Sequence, residues 1–596
     1  MKKLLAFLTF SLIMGSNAMA YRANDFSAIC KSGQKLYYKI TSETAPYTVE
    51  VTNETGNTKL GDVSYNTYPN GDLRIPENVT HNNITYLVTS IGTCAFKSCN
   101  KLTSVTIPNS VTEIKERAFA HCEGLTSITI PESVTEIGIK VFLGCNGLKE
   151  PIYNSNCFAY FPNGYAKEYT IPEGIKTIAD EVFQNCKDLT SIVIPNSVER
   201  IGKNSFTGTG WYNNQPNGII YLGEWCLGYK GNEPTNELII TDSTKNIANE
   251  AFSKCNKVTS VILPNSIKRI GFAAFEDCQK LASVTTGNSI IDIGEFAFSY
   301  CSNLKSINIP NTLREIKDYT FYKCQGLSSI VIPDSLKRIG KFAFYACDKL
   351  SSFVFPNSLK EIGEFAFGKC PDMKSIIIPN SVENIGECAF SGCSSLKSIV
   401  VDSKNHFYDS RNNCNAIIHT ATNTLITGCK NTVIPISATI IGKGAFLGCT
   451  NLKSITIHKF ITYIEETAFG MNNFKSITVE KGNSVYNSKN NCNAIIETQT
   501  NILIVGCENT TIPNSVTKIA NYAFARCAGL TSIDIPKSVK CIGQYAFLYC
   551  NNLRSVNLSE SIEKIEYGAF AGCNLPPETE MAISTINEDA FDYEYE

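Results

Sequence analysis

The side chains with the most obvious chemical potential are 25 cysteines and five histidines in a chain of 596 residues. A Cys beside a His could form a nucleophile–base pair, and Cys with His at the right spacing could hold zinc. The spacing argues against both. Fifteen of the cysteines occupy one recurring position: Cys99, Cys122, Cys145, Cys186, Cys255, Cys278, Cys301, Cys324, Cys347, Cys370, Cys393, Cys449, Cys527, Cys550 and Cys573. Most are 23 residues apart, and no column of His accompanies them. A Cys repeated at a fixed period stacks upon its own copies. As a small, readily buried residue, it is expected to be reduced core packing. Cys414 and His419 are close in sequence, but a second copy of that segment carries Glu497 where His419 stands, so no nucleophile–base pair is expected there. H-E-x-x-H, G-x-S-x-G and phosphate-loop patterns are absent, and Asp and Glu fall at variable repeat positions. The reading is of no catalytic residue, no metal and no cofactor.

The element that positions these cysteines is a repeat of the form L-x-S-I-x-I-P-x-S-V-x-x-I-G-x-x-A-F-x-x-C. Its Phe recurs at 96, 119, 142, 183, 206, 252, 275, 298, 321, 344, 367, 390, 446, 469, 524, 547, 570 and 591. In the unit around "LKSINIP", Leu304, Ile307 and Ile309 turn inward from a short strand, which Pro310 ends because it cannot donate a ladder hydrogen bond. Leu313 and Ile316 return inside, and Phe321 and Cys324 close the coil on a short helical turn. One such unit cannot bury its apolar groups, whereas stacked units share a continuous core. The fold expected is therefore a β-rich solenoid. About eighteen coils, each rising about 4.8 Å, give a rod of about 85 Å.

Hydrophobic residues make up 43% of the chain and charged ones 18%, with a net charge near −2. No long-range field favours nucleic acid or an anionic membrane. Residues 1–20 read as a signal peptide: Lys2 and Lys3, an apolar run from Leu4 to Met14, then Ala18-Met19-Ala20. That run is too short to span a bilayer, no later stretch looks transmembrane, and "AFDYEYE" carries no recognisable sorting tail. Residues 21–86 do not repeat and read as a small N-terminal β cap. Residues 87–596 read as the solenoid, with inserts near 151–174, 402–432 and 480–510. The two later inserts match each other and read as β-hairpins. Cys414 and Cys429 lie symmetrically about one turn, as Cys492 and Cys507 do about the other. This leaves open either a disulfide across each hairpin or buried free thiols. The stretch around Trp211 and Trp225 reads as one degenerate coil.

The motif "LTSITIPESVTEIG" (Leu125 to Gly138), followed by A-F-x-x-C, resembles the BspA-like leucine-rich repeats of secreted proteins from host-associated anaerobic bacteria. The resemblance runs from about Ile91 to Phe591. It implies a leucine-rich-repeat solenoid exposed at or beyond the cell surface, in a family associated with adhesion to host matrix proteins or other cells. The expected function is accordingly non-catalytic binding of a protein or glycan outside the cell, with a host matrix protein as one such ligand. Two alternatives are a self-assembling envelope protein and an enzyme on a repeat scaffold.

In L-x-S-I-x-I, the residue between the two inward aliphatics should face solvent. In the middle of the chain this column is aliphatic in four consecutive coils, Val331, Val354, Ile377 and Val400, whereas the other coils carry Thr, Asn or Asp apart from Val193 and Ile262. Ser329, Ser352, Ser375 and Ser398 lie two positions earlier, with Lys374 and Lys397 beside them. This stripe is the candidate partner-binding surface.

Overall fold

The computed structural model describes residues 24–55 and 65–593. The signal-peptide reading of 1–20 lies outside them. The chain forms a β-solenoid of about 21 turns of some 23 residues, with few helices. The excess over the eighteen Phe-bearing coils comes from turns that carry a hairpin in place of the Phe segment.

The chain begins with an antiparallel meander, Phe26–Ile29, Lys35–Ser42 and Thr48–Thr52. Strand Ile84–Ile91 then pairs parallel with Thr48–Thr52 on one side and with Glu113–Ile114 on the other. A cap with a bare outer edge would invite further strands; here one strand is shared by meander and solenoid. It runs across the 86/87 boundary. The other solenoid sheet starts earlier still, at Gly71–Arg74, which pairs parallel with Leu102–Thr106.

Each regular coil contributes to two parallel ladders. The first is formed by the S-I-x segments, with Ser260, Ser283, Ser306 and Ser329 in register. The second is a two-residue ladder of the x-I segments, as in Glu315–Ile316, Arg338–Ile339, Glu361–Ile362 and Asn384–Ile385. Leu304, Ile307, Ile309, Leu313, Ile316, Phe321 and Cys324 are all buried, as the repeat pattern requires.

The segment that closes each coil is not a helical turn. It is a run of tight turns with a positive φ at two residues per coil, for example Tyr319 (58°) and Lys323 (56°). The reason is hydrogen bonding. Tyr319 N, Phe321 N and Lys323 N donate to Lys341 O, Ala343 O and Tyr345 O of the next coil. Every second N–H must therefore point along the solenoid axis, which a right-handed helix forbids. In other coils the Lys323 position is filled by Gly144, Gly208, Gly392, Gly448 and Gly572, also at positive φ.

The Phe rings stack face to face. From Phe252 to Phe390, seven rings follow one another at centroid spacings of 5.2–5.7 Å. The Cys column sits beside them with a second role. Cys324 Sγ lies 3.1 Å from Phe298 O, Cys347 Sγ 3.3 Å from Phe321 O and Cys370 Sγ 3.2 Å from Phe344 O. Each thiol thus donates to the Phe carbonyl of the preceding coil, a contact that Ala at this position would lack.

Four hairpins divide the core. They pair Ile152–Tyr153 with Cys157–Tyr160, Gly218–Leu222 with Trp225–Lys230, Ala416–His419 with Thr424–Gly428, and Ile495–Glu497 with Ile502–Val505. The second corrects the reading of the Trp211–Trp225 stretch as a degenerate coil. Each returning strand joins the x-I ladder in parallel, at Thr177, Asn246, Ile440 and Lys518. In the third and fourth, the returning strand slides under a Phe ring. A Cβ on Gly428 or Gly506 would run into Phe446 or Phe524.

Three hairpins are entered through the same Asn device, buried at Asn154 and Asn405 and half-buried at Asn483. Asn405 Nδ2 donates to Pro379 O (2.9 Å) and Val382 O (3.0 Å), and its Oδ1 accepts from Phe407 N and Tyr408 N (both 2.9 Å). Asn483 and Asn154 repeat this with His458 O, Ile461 O and with Pro131 O, Val134 O. Tyr408 Oη and Tyr486 Oη then accept from Ile385 N and Ile464 N, both at 2.9 Å.

A hairpin carries no Phe turn, so on that edge the coils flanking it close directly on each other. Gly392 N donates to Leu447 O at 2.8 Å across the third hairpin, and Asn249 N to Ile201 O at 3.0 Å across the second. The solenoid therefore curves toward the edge of the Phe turns instead of running straight.

Candidate functional site

The exposed strand face supplies an organised surface. It is built by the alternation of the S-I-x ladder: Ile376 and Ile378 are buried while Ile377 between them is 65% exposed. Val331 (64%), Val354 (82%) and Val400 (46%) stand out in the same way. The third hairpin does not end the column. Lys430 N donates to Leu396 O and Asn431 Nδ2 to Lys397 O at 3.0 Å, which stacks the coil carrying Val433 directly on that of Val400. Val433 is 73% exposed and is the fifth member. Sequence reading passed it over because Val433 lies 33 residues beyond Val400 rather than 23. The signal was present in Val433-Ile434-Pro435, which copies Ile377-Ile378-Pro379.

The same register extends the lysines. Lys374 and Lys397 are followed by Lys430, Lys453 and Lys475, all exposed and none in an ion pair among the described residues. The S-I-x ladder is interrupted at two of these five coils, those of Val354 and Val433, which form no strand there. In the Val354 coil, Phe353 and Phe355 take the two inward positions, and their rings pack edge-on against Phe367 at 4.7 and 5.4 Å. The Ser352-Phe353-Val354 segment forms no strand of the S-I-x ladder, because a phenyl ring is too large for the space an Ile fills.

The cysteines are arranged for packing. All 25 are free thiols, and all but Cys541 are fully buried. Burial pushes the thiols of Cys157 and Cys186 up to about 11, and that of Cys347 further, so none of these carries a thiolate at neutral pH. Cys414, Cys429, Cys492 and Cys507 belong to this set. All four are free thiols here, and the two of each hairpin belong to different cores. Cys414 packs with Ile418 and Leu425 on the C-terminal side of its hairpin, Cys429 with Ile417 and Tyr408 on the N-terminal side. Cys492 and Cys507 divide in the same way.

Cys414 and His419 are likewise apart. The Cys414 thiol turns toward Ala416 O, whereas His419 Nδ1 meets Thr422 Oγ1 at 2.8 Å. Among the described residues no group of three or more His, Cys, Asp or Glu could hold a metal ion, and no helix is long and apolar enough to cross a membrane.

No curated protein matches the chain. Among solved structures, it is similar to a leucine-rich repeat protein from Bacteroides ovatus (23% identity over 96% of this chain and 99% of that one, TM-score 0.26). It is also similar to a leucine rich cell surface protein from Faecalibacterium prausnitzii (20% identity, 90% and 96% covered, TM-score 0.33) and to the pneumococcal vaccine antigen PcpA (17%, 77% and 94%, TM-score 0.24). The BspA type leucine rich repeat region matches six times in succession, over residues 76–158, 154–232, 228–333, 314–427, 426–504 and 504–596. With the repeat matched from 76 to the C-terminus and the solenoid built by it, the chain belongs to the BspA-type leucine-rich repeat family.

Proposed function

We propose that this is a secreted or cell-surface protein that binds a protein partner outside the cell, without catalysis, through the strand face between Val331 and Val433. One observation carries the reading. Five consecutive coils present an exposed aliphatic side chain in one column, edged by hydroxyls and by lysines that hold no ion pair among the described residues. A contiguous apolar strip of this kind, rimmed by polar groups, is what protein-binding surfaces expose. A β-branched residue also simply suits a strand, but that preference is met equally by Thr285 and Thr456 and does not by itself select an aliphatic side chain in five consecutive coils.

The test is the double variant Val354→Asp, Ile377→Asp. Both side chains face solvent, so the melting curve is expected to match that of the wild type. Binding to a panel of purified matrix proteins and glycans is expected to fall at least tenfold for whichever member the wild type holds. Unchanged binding by the folded variant would reduce the stripe to a strand surface. Export is checked separately, by N-terminal sequencing for cleavage after Ala20 and by protease treatment of intact cells.

A further inference from the structure

The lysines that edge the strand face form an arrangement of their own. Lys374, Lys397, Lys430, Lys453 and Lys475 hold one position in five consecutive coils, directly after the inward Met373, Leu396, Cys429, Leu452 and Phe474. The stacking is direct. Lys397 N donates to Lys374 O at 3.1 Å and Lys475 N to Lys453 O at 2.8 Å, while Asn431 Nδ2 reaches Lys397 O at 3.0 Å. The coil of Lys453 is tied to that of Lys430 by His458 Nε2 and Pro435 O, 3.0 Å apart. At a rise of about 4.8 Å per coil, the five side chains leave the sheet along a line about 19 Å long. All five are exposed and none is in an ion pair among the described residues. Asp372, two residues before Lys374, is held by Lys349 at 3.6 Å.

The fold does not ask for lysine at this position. Elsewhere a Thr or Ser hydroxyl stands there and donates to the backbone carbonyl of the coil before. Thr126 reaches Thr103 O at 3.1 Å, Thr190 reaches Lys167 O at 3.2 Å, Thr259 reaches Asn236 O at 3.2 Å and Ser328 reaches Lys305 O at 3.3 Å. None of the five lysine side chains makes that bond among the described residues; Lys453 Nζ turns instead to Thr450 O, at 3.1 Å. These coils give up a hydrogen bond and set like charges opposite one another, which is unfavourable in a sheet. A run of positions that departs from its own repeat at a cost to the fold marks a functional surface.

A line of charges at equal intervals fits a polymer of opposite sign with a similar interval. Each sugar of an extended polysaccharide advances by close to the rise of one coil. Lys carries a compact charge on a flexible stem and imposes no fork geometry, unlike Arg, so it suits sulfates set at varied angles along such a chain. Ser375 and Ser454, both exposed, add hydroxyl donors beside the row. The net charge of the whole chain is near −2, so the attraction is confined to this row.

We propose that the row binds a linear sulfated polysaccharide, laid along the solenoid axis with its sulfates on the five lysines in turn. This rests on the reading that the protein acts outside the cell, but not on the apolar stripe. Lys453 and Lys475 lie in coils whose stripe position is Thr456 and Thr478.

The experiment measures binding of a fluorescein-labelled heparin oligosaccharide to the full chain by anisotropy, over a range of salt. The variant Lys397→Thr, Lys430→Thr, Lys453→Thr puts the commoner residue of this position into the middle of the row. It is expected to weaken heparin at least tenfold and to flatten the salt dependence, with a melting curve equal to or above that of the wild type. Lys149→Thr, Lys167→Thr, Lys305→Thr removes the same charge from the same position outside the run, and is expected to leave binding within twofold. Lys453→Thr with Lys475→Thr, outside the stripe, should weaken heparin at least threefold and leave unchanged the protein binding that Val354→Asp, Ile377→Asp removes. Failure of the row and failure of the stripe are thereby told apart. Equal weakening by both triple variants would mean non-specific attraction and overturn the proposal. So would a wild type that does not bind heparin. Tighter binding of labelled oligothymidylate or polyglutamate than of heparin would overturn it too, and would assign the row to a nucleic acid or an acidic protein.

Discussion

The run from Phe252 to Phe390 and the stretch from Phe390 to Phe570 are written in the same repeat, yet they fold differently. In the first, seven rings stack without a gap and one core runs through every coil. In the second, two hairpins cut the rings into Phe446–Phe469 and Phe524–Phe547–Phe570, and the core is divided with them. The difference teaches that the Phe turn acts as the spacer of this solenoid. Where each coil has one, both edges rise equally. Where a hairpin replaces it, the coils meet on that edge and the axis bends.

The largest test of this contrast is Phe344→Ala. Phe344 is fully buried between Phe321 and Phe367, and its loss should cost about 3–5 kcal/mol. Because contacts in a solenoid are between neighbours, hydrogen-exchange protection should fall in the adjacent coils and hold in the last three. A wild-type melting curve would remove this column from the core.

Asn405→Ala attacks the other region. It deletes four hydrogen bonds and strands two carbonyls and two N–H groups, for about 2–3 kcal/mol. Protection should be lost on both sides of the third hairpin but not between Phe252 and Phe344. If the loss spread evenly, the hairpins would not be junctions between separate cores.

A smaller, pH-dependent effect separates two equivalent carboxylates. Asp318 accepts from Lys341 N at 2.8 Å and faces Arg338 at 3.3 Å. Asp180, in the coil that follows the first hairpin, accepts from Lys203 N at 2.7 Å, but burial, with Glu250 and Glu181 nearby, pushes its carboxyl up to about 6. A raised folded-state value means the native state binds the proton more tightly. Its contribution is therefore favourable at low pH and is lost as pH rises from about 4 to about 6. Asp180→Asn should stabilise the protein by up to about 2 kcal/mol at pH 7.5 and leave it unchanged at pH 4. Denaturant melts at the two pH values decide this; equal effects at both would refute it.

The smallest effect tests the turn itself. Lys254 is exposed and holds a φ of 65° at the position where five other coils have Gly. Lys254→Gly should relieve the left-handed strain by more than it adds to the freedom of the unfolded chain, a gain of about 0.5 kcal/mol in chemical denaturation. A loss of stability would show that the hydrogen bond from Lys254 N to Glu276 O already holds the turn without strain.

The repeat by itself determined the inside and outside of nearly every coil. Period and side-chain type are local: Leu304, Ile307 and Ile309 must go in and Val331 and Ile377 must come out whatever the neighbours do. The hairpins at 402–432 and 480–510 were legible for the same reason, as apolar pairs about a polar turn. What the sequence left undecided depends on contacts between coils. The turn after each Phe looks helical in isolation, but N–H groups directed at the next coil force it into positive φ. Whether Cys414 and Cys429 pair was open along the chain; in the fold the two are free thiols that belong to different cores. Val433 joined its column only when the coils on either side of an insert closed together. The cleft lined by Glu136, Arg200, Arg269 and Glu295 has no sequence signal at all. These residues are brought to one cavity by curvature, and curvature is the accumulated difference in rise between the two edges of many stacked coils.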